Sequence, residues 1–189
     1  MPSRSHGDDP FVGSIRLVLG IARRNRFRAA LIGGFALPFF GVQRATGDVD
    51  FLVEAKGAES LHEALVAAGS RCLHRSEDAA NYGTGRSSLS PVDFLFARRD
   101  RARAMLDRTN TRLLRGARIR VPVVDVEGLI GLKLQALAND PRRRQDEADI
   151  AALFDTQAKN LDEQVLRDYY KLFAREGDLD RLIDATRRR

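Results

Sequence analysis

Three aspartates carry the first chemical signal in this chain. Asp48-Val49-Asp50 opens the apolar run Asp48-Val49-Asp50-Phe51-Leu52-Val53. In a strand, side chains alternate faces, so Asp48 and Asp50 project together while Val49 and Phe51 turn into a core. Two carboxylates about 7 Å apart along a strand suit a divalent cation and the phosphates it escorts. Asp93 stands in a second apolar run, Val92-Asp93-Phe94-Leu95-Phe96. An ionised carboxylate there is costly unless it is paired or binds metal. If the two strands are neighbours, three carboxylates converge and repel one another, which is relieved by a cation. Mg²⁺ is the cation expected, as two ions about 3.5–4 Å apart that activate a hydroxyl and steady a pyrophosphate leaving group.

Gly33-Gly34 ends the short apolar run Leu31-Ile32, and thirteen residues separate it from the Asp-x-Asp pair. Glycines let backbone approach a phosphate closely, and a helix opening there aims free N–H groups at an anion. Arg44 and Thr46, in the loop between, are candidate phosphate contacts. Each part also has a plainer reading. Asp-x-Asp can be edge polarity, a glycine pair a tight turn, and Asp93 a cap or salt-bridge partner. The order strand, Gly-Gly, helix, loop, Asp-x-Asp strand, later Asp strand is more specific than its parts.

The elements that must position these residues follow from periodicity. Helices are expected over 11–27, 35–40, 57–68 and 99–106. Strands are expected over 28–32, 48–53, 71–74, 92–97, 111–114 and 118–124, with a polar, glycine-bearing loop over 76–89 that carries a short strand at its end. After residue 125 the pattern becomes helical: 127–138, 144–154, 161–174 and 179–186. The fold class is therefore α/β (α+β), a small mixed sheet flanked by helices and followed by a C-terminal helical segment. The expected organisation is a disordered lead-in over 1–10, an α/β core over 11–125, and helices over 126–189 packed on that core.

The chain has 189 residues, 43% hydrophobic and 31% charged, with a formal net charge of +6 and a pI near 10.1. That balance fits a core-bearing globular protein and favours polyanionic partners. Cys72 is the only cysteine, which excludes an internal disulfide and cysteine-rich metal sites. His6, His62 and His74 show no metal-ligand spacing. No apolar run approaches the roughly 20 residues that span a bilayer, so no membrane is expected. The first ten residues lack the apolar segment of a signal peptide, and a cytoplasmic location is expected.

Gly33-Gly34, Asp48-Val49-Asp50 and Asp93 together resemble the nucleotidyltransferase superfamily related to DNA polymerase β. The resemblance implies two Mg²⁺ ions held by Asp48, Asp50 and Asp93. It implies transfer of NMP from an NTP to an acceptor hydroxyl, with Asp93 helping to deprotonate the acceptor. A second block sharpens it: Gly131-Leu132-Lys133-Leu134-Gln135-Ala136-Leu137, then Gln145-Asp146-Glu147-Ala148-Asp149-Ile150. This is similar to the Lys…Arg-Asp-x-x-Asp-Leu segment of bacterial AbiEii-type toxin nucleotidyltransferases. It implies that Lys133 contacts the triphosphate or supports the metal site, that Asp146 lies near the active centre, and that Asp149 braces it. Two departures stand out: Gln145 replaces a common Arg, and Gly34 replaces a common Ser.

Without the resemblance, Lys133, Asp146 and Asp149 also read as a clasp pinning a helix hairpin, since Asp146 and Asp149 share a helix face. The acceptor stays open between tRNA, a protein and a small hydroxylated molecule such as an antibiotic. An antitoxin partner is implied by the toxin-like block. A catalytically silent toxin–antitoxin module of the same fold, or an RNA-binding protein without metal chemistry, are the alternatives.

Overall fold

The computed structural model describes residues 9–188. The expected lead-in over 1–8, with His6, lies outside the described residues. The chain divides into two compact units. The first comprises residues up to Ala36 and Arg44–Val124, and the second Leu37–Gln43 and the residues from Asp125 onward.

The first unit is built on a seven-stranded sheet. Its strands are β1 (Ala29–Ile32), β2 (Val49–Glu54), β3 (Arg71–Arg75), β4 (Ala79–Gly83), β5 (Val92–Ala97), β6 (Asn110–Leu114) and β7 (Ile119–Val123). They lie in the order β3-β4-β5-β2-β1-β7-β6. The β2–β5 and β1–β7 pairs are parallel and the others antiparallel. The helices of this unit are α1 (Pro10–Arg24), the single turn α2 (Gly33–Ala36), α3 (Ala58–Ala67) and α4 (Asp100–Asp107).

Alternation explains the core. Val49, Phe51 and Val53 are wholly buried on one face of β2. Phe51 stacks on Phe94 of β5, with ring centroids 6.1 Å apart, and Tyr82 of β4 meets Phe94 edge-on. Ile15, Val18 and Ile21 of α1 and Leu61 and Leu65 of α3 add to the same core. Each such side chain contributes about 1.5–3 kcal/mol through burial. Asp9 caps α1, accepting from Phe11 N at 2.9 Å, and Pro10 takes the first helical position. The helix ends at Arg24 with Asn25 as its cap, before Arg26 turns to a left-handed φ of 54°, and so falls short of the expected residue 27.

β4 is the principal difference from expectation, because the strand lies at Ala79–Gly83, near the start of the 76–89 segment and not at its end. Ala79-Ala80-Asn81-Tyr82-Gly83 has little intrinsic β-propensity. It is a strand because β3 and β5 supply ladder partners on both sides.

The second unit contains α5 (Val126–Asn139), α6 (Arg144–Gln157), α7 (Glu163–Leu172) and α8 (Glu176–Arg187), with a 3₁₀ turn at Leu37–Phe40. Asp125 caps α5 by accepting from Gly128 N at 2.9 Å, and Asp162 caps α7. Gly131 lets α5 and α7 approach closely, since a Cβ there would stand 2.8 Å from the Tyr169 ring. Gln157 Nε2 donates to the Phe40 carbonyl at 2.9 Å, tying the 3₁₀ turn to α6.

Candidate active site

Parallel pairing of β2 with β5 decides the site. Asp50 lies directly opposite Asp93 in that register. Asp48 precedes β2 by one residue and, by alternation, faces the same side as Asp50. One carboxylate oxygen from each of Asp48, Asp50 and Asp93 lies within 4.8 Å of the others, and all three residues are half-buried. Octahedral Mg²⁺ with bonds of about 2.1 Å separates its ligand oxygens by roughly 3–4.2 Å, so a small inward movement suffices. The donor set is all hard oxygen, which suits Mg²⁺ better than a soft metal.

The glycine turn presses onto these carboxylates. Gly33 has a φ of +61°, and a Cβ there would fall 1.9 Å from Asp50 Oδ2. A Cβ on Gly34 would stand 2.8 Å from Thr46 Cβ and Oγ1. Neither position accommodates a side chain without displacing a neighbour. The Thr46 side chain fills the space beside Gly34. Thr46 Oγ1 donates to Asp48 Oδ1 at 2.9 Å and so orients that carboxylate. Arg44 is half-buried two residues earlier in the same loop.

Asn81 is a member of this site that the sequence reading missed. It pairs with Asp93 across β4 and β5, and its side chain hydrogen-bonds the Asp93 carboxylate. Burial, with the Asp48 charge nearby, pushes the Asp93 carboxyl above its usual range against the pull of that hydrogen bond. Asn81 reaches the site only through the pairing of β4 with β5.

Lys133, Asp146 and Asp149 form a separate cluster inside the helical unit. Lys133 Nζ donates to Asp146 Oδ1 at 3.0 Å and to Asp149 Oδ2 at 2.5 Å. Arg143 Nε reaches Asp146 Oδ2 at 2.6 Å, and Gln145 Nε2 donates to Asp149 Oδ1 at 2.9 Å. Lys133 is 7% exposed, Asp146 6% and Asp149 2%. Burial alone would raise the Asp146 carboxyl, but Lys133 and Arg143 outweigh it and hold it below the usual range. The geometry is that of a clasp joining α5 to α6. Gln145 is one of its donors.

Among solved structures, the fold is similar to that of the antibiotic-resistance factor ANT(2'')-Ia. The TM-score is 0.64 at 16% identity, covering 90% of this chain and 95% of that one. It is also similar to the lincosamide antibiotic adenylyltransferase LnuA, at TM-score 0.51 and 15% identity, covering 72% and 91% of the two chains. A nucleotidyltransferase-like protein from Paracoccidioides brasiliensis gives TM-score 0.53 at 15% identity, covering 92% and 91%. At these identities the likeness shows the fold alone. No match is found among curated protein sequences. The family described as nucleotidyl transferase AbiEii toxin, type IV toxin–antitoxin system, matches residues 22–188. The chain therefore belongs to the AbiEii nucleotidyltransferase family, and it is an enzyme of the nucleotidyl-transferring class.

Proposed function

We propose that this chain moves NMP from an NTP to an acceptor hydroxyl on tRNA, using two Mg²⁺ ions held by Asp48, Asp50 and Asp93. The convergence of those three carboxylates within 4.8 Å beneath a glycine turn carries the reading. Bound Mg²⁺ would neutralise charge developing on the triphosphate and ease ionisation of the attacking hydroxyl.

The remaining roles belong to the chain's own groups. Gly33 and Gly34 bring backbone N–H groups against a phosphate where a side chain would stand in the way. Thr46 and Asn81 hold Asp48 and Asp93 in orientation. Thr46 keeps its expected role at the phosphate only if it releases Asp48, so the orienting role is favoured. Arg44 remains a candidate phosphate contact. Asp93, opposite Asp50 on the neighbouring strand, is the carboxylate placed to accept the acceptor's proton. Lys133 already donates to two buried carboxylates, which favours bracing the α5–α6 hairpin over direct contact with the triphosphate.

The tRNA acceptor is supported by the net charge of +6. Family membership supports an antitoxin as the protein partner. None of the described helices is long and apolar enough to cross a membrane, in keeping with a cytoplasmic location.

The test incubates the protein with Mg²⁺, each α-labelled NTP in turn, and bulk tRNA, beside Asp48→Ala. Label in RNA from the wild type alone supports the proposal. Label on an aminoglycoside or lincosamide, and none on RNA, replaces it with the small-molecule reading. No transfer and no Mg²⁺-dependent NTP binding would leave a silent module of this fold.

A further inference from the structure

A groove of about 740 Å³ lies in the sheet-bearing unit, at the end of β1 away from the glycine turn. Phe27, Arg28 and Ala29, which lead into β1, line its floor. One bank is a stripe of α1 at positions 16, 19, 20 and 23, the spacing of a single helix face. The other bank is the start of β7, with Arg118 and Arg120. A hydrogen bond from Arg16 Nη2 to the Ala117 carbonyl, at 3.1 Å, ties the two banks together.

Five arginines line this groove and no acidic residue does: Arg16, Arg23, Arg28, Arg118 and Arg120. All five are exposed. Arg28 is held by Glu54 and Asp107. Arg23, Arg118 and Arg120 have no carboxylate partner among the described residues. Arg28 apart, these guanidiniums form a local surplus of positive charge in a chain whose net charge is +6. Arg118 also keeps a left-handed φ of 52°, a conformation costing a non-glycine residue about 1–2 kcal/mol.

We infer that this arginine groove binds the phosphodiester backbone of RNA, as a holding site separate from the carboxylates. The guanidinium fork matches phosphate oxygens in a bidentate way. The two banks present charge along a length rather than at a point, since Arg16 and Arg23 are about 10 Å apart along α1. A backbone of repeating phosphates fits that layout. An acidic peptide would instead look for anchoring pockets, and here Phe27 and Leu106 are already buried in the floor. The four residues of β1 put roughly 13 Å between the groove and the glycine turn. RNA held here is therefore gripped away from its reacting end, so affinity and chemistry should separate. The inference rests on the proposed RNA acceptor for its biological sense, but not for its test.

The experiment measures tRNA binding by fluorescence anisotropy across a salt series. It compares wild type, the triple variant Arg23→Gln/Arg118→Gln/Arg120→Gln, the triple Arg→Lys variant, and Asp48→Ala. Each phosphate contact contributes about 0.7–0.9 to the slope of log K against log salt. The Gln variant should lose about 2 units of slope and about tenfold or more in affinity at moderate salt. The Lys variant should keep most of the slope, and Asp48→Ala should bind as wild type. Circular dichroism and an unchanged denaturation midpoint confirm that the exposed substitutions leave the fold intact. In transfer assays, the loss should appear in KM for tRNA rather than in kcat.

An unchanged slope in the Gln variant overturns the inference. So does wild-type binding of polyglutamate as tight as tRNA and lost in the same variant, since that assigns the groove to an acidic protein. Transfer to RNA with an unaltered KM removes the groove and leaves the proposed function standing. A lost slope with no transfer to RNA keeps the groove and removes the proposed acceptor.

Discussion

Asp93→Asn offers the most searching perturbation of the carboxylate cluster, because its effect should change sign with metal. In the wild type, Asp93 faces Asp48 and Asp50 with ligand oxygens within 4.8 Å. Two unit charges at that distance repel by about 0.9 kcal/mol in a water-like dielectric and about 3.5 kcal/mol at an effective dielectric near 20. The three residues are half-buried, so screening holds the value toward the lower end, about 1 kcal/mol for each pair. Substitution removes two repulsions and the burial cost of a charge. It keeps an amide oxygen that can still accept from Asn81. The net expectation is about 1–2 kcal/mol of added stability in EDTA, or roughly 2–8 °C in Tm for a chain of this length. In Mg²⁺ the order should reverse. The wild type gains about 2.7 kcal/mol at a metal concentration one hundred times Kd, and the variant gains less.

The pH dependence follows from the same charge. The folded carboxyl is raised, so the metal-free native state holds its proton more tightly than the unfolded chain. Stability from this group is fully present below the ordinary value of 3.8 and is lost as pH rises through the higher folded value. Asp93→Asn should remove that slope. Paired thermal melts, in EDTA and in Mg²⁺ and at several pH values, test all of this on one protein preparation. A variant less stable than wild type by more than about 1 kcal/mol in EDTA, with an unchanged Mg²⁺ shift, would refute the reasoning. Asp93 would then be a structural hydrogen-bonding residue.

Gly33→Ala should push Asp50 aside, because the added Cβ falls on its carboxylate at a φ of +61°. Mg²⁺ affinity, read by calorimetry, should fall about tenfold or more while the secondary structure persists. Lys133→Met leaves Asp146 and Asp149 buried and should cost about 3–5 kcal/mol in urea denaturation. Adding Asp146→Asn and Asp149→Asn should recover most of it, and a loss below about 1 kcal/mol would mean the clasp is not a buried ion pair. Because Asp146 is held low, its contribution is present above 3.8 and disappears as acid titrates the folded carboxylate. Tyr170→Phe should be neutral or stabilising by up to about 1–2 kcal/mol. The Tyr170 hydroxyl is buried and makes no hydrogen bond among the described residues, so a lower Tm would contradict the reasoning.

Some of this molecule is written in single elements. The same-side placement of Asp48 and Asp50 follows from the twofold alternation of a strand, which is covalent geometry and needs no partner. Val92–Ala97 is a strand with the expected bounds because alternation sends Val92, Phe94 and Phe96 of its apolar run into the core. Gly33-Gly34 signals a turn in any context. Lys133 and the Asp146–Asp149 helix face announce that they can meet, because i,i+3 spacing stacks the two acids. Other features exist only in three dimensions. Asp93 joins the site because β5, more than forty residues along the chain, pairs in parallel with β2 in one particular register. A slip of one residue would have turned it into the core. β4 is a strand because of its neighbours, and Asn81 reaches Asp93 only because β4 exists. The need for glycine at 33 and 34 arises from how close Asp50 and Thr46 come, a distance no local propensity encodes. The five arginines of the groove are scattered from Arg16 to Arg120, and the packing of α1 beside β7 gathers them into one field. Local geometry determines which way a side chain faces, while the long-range register of the sheet determines what it faces.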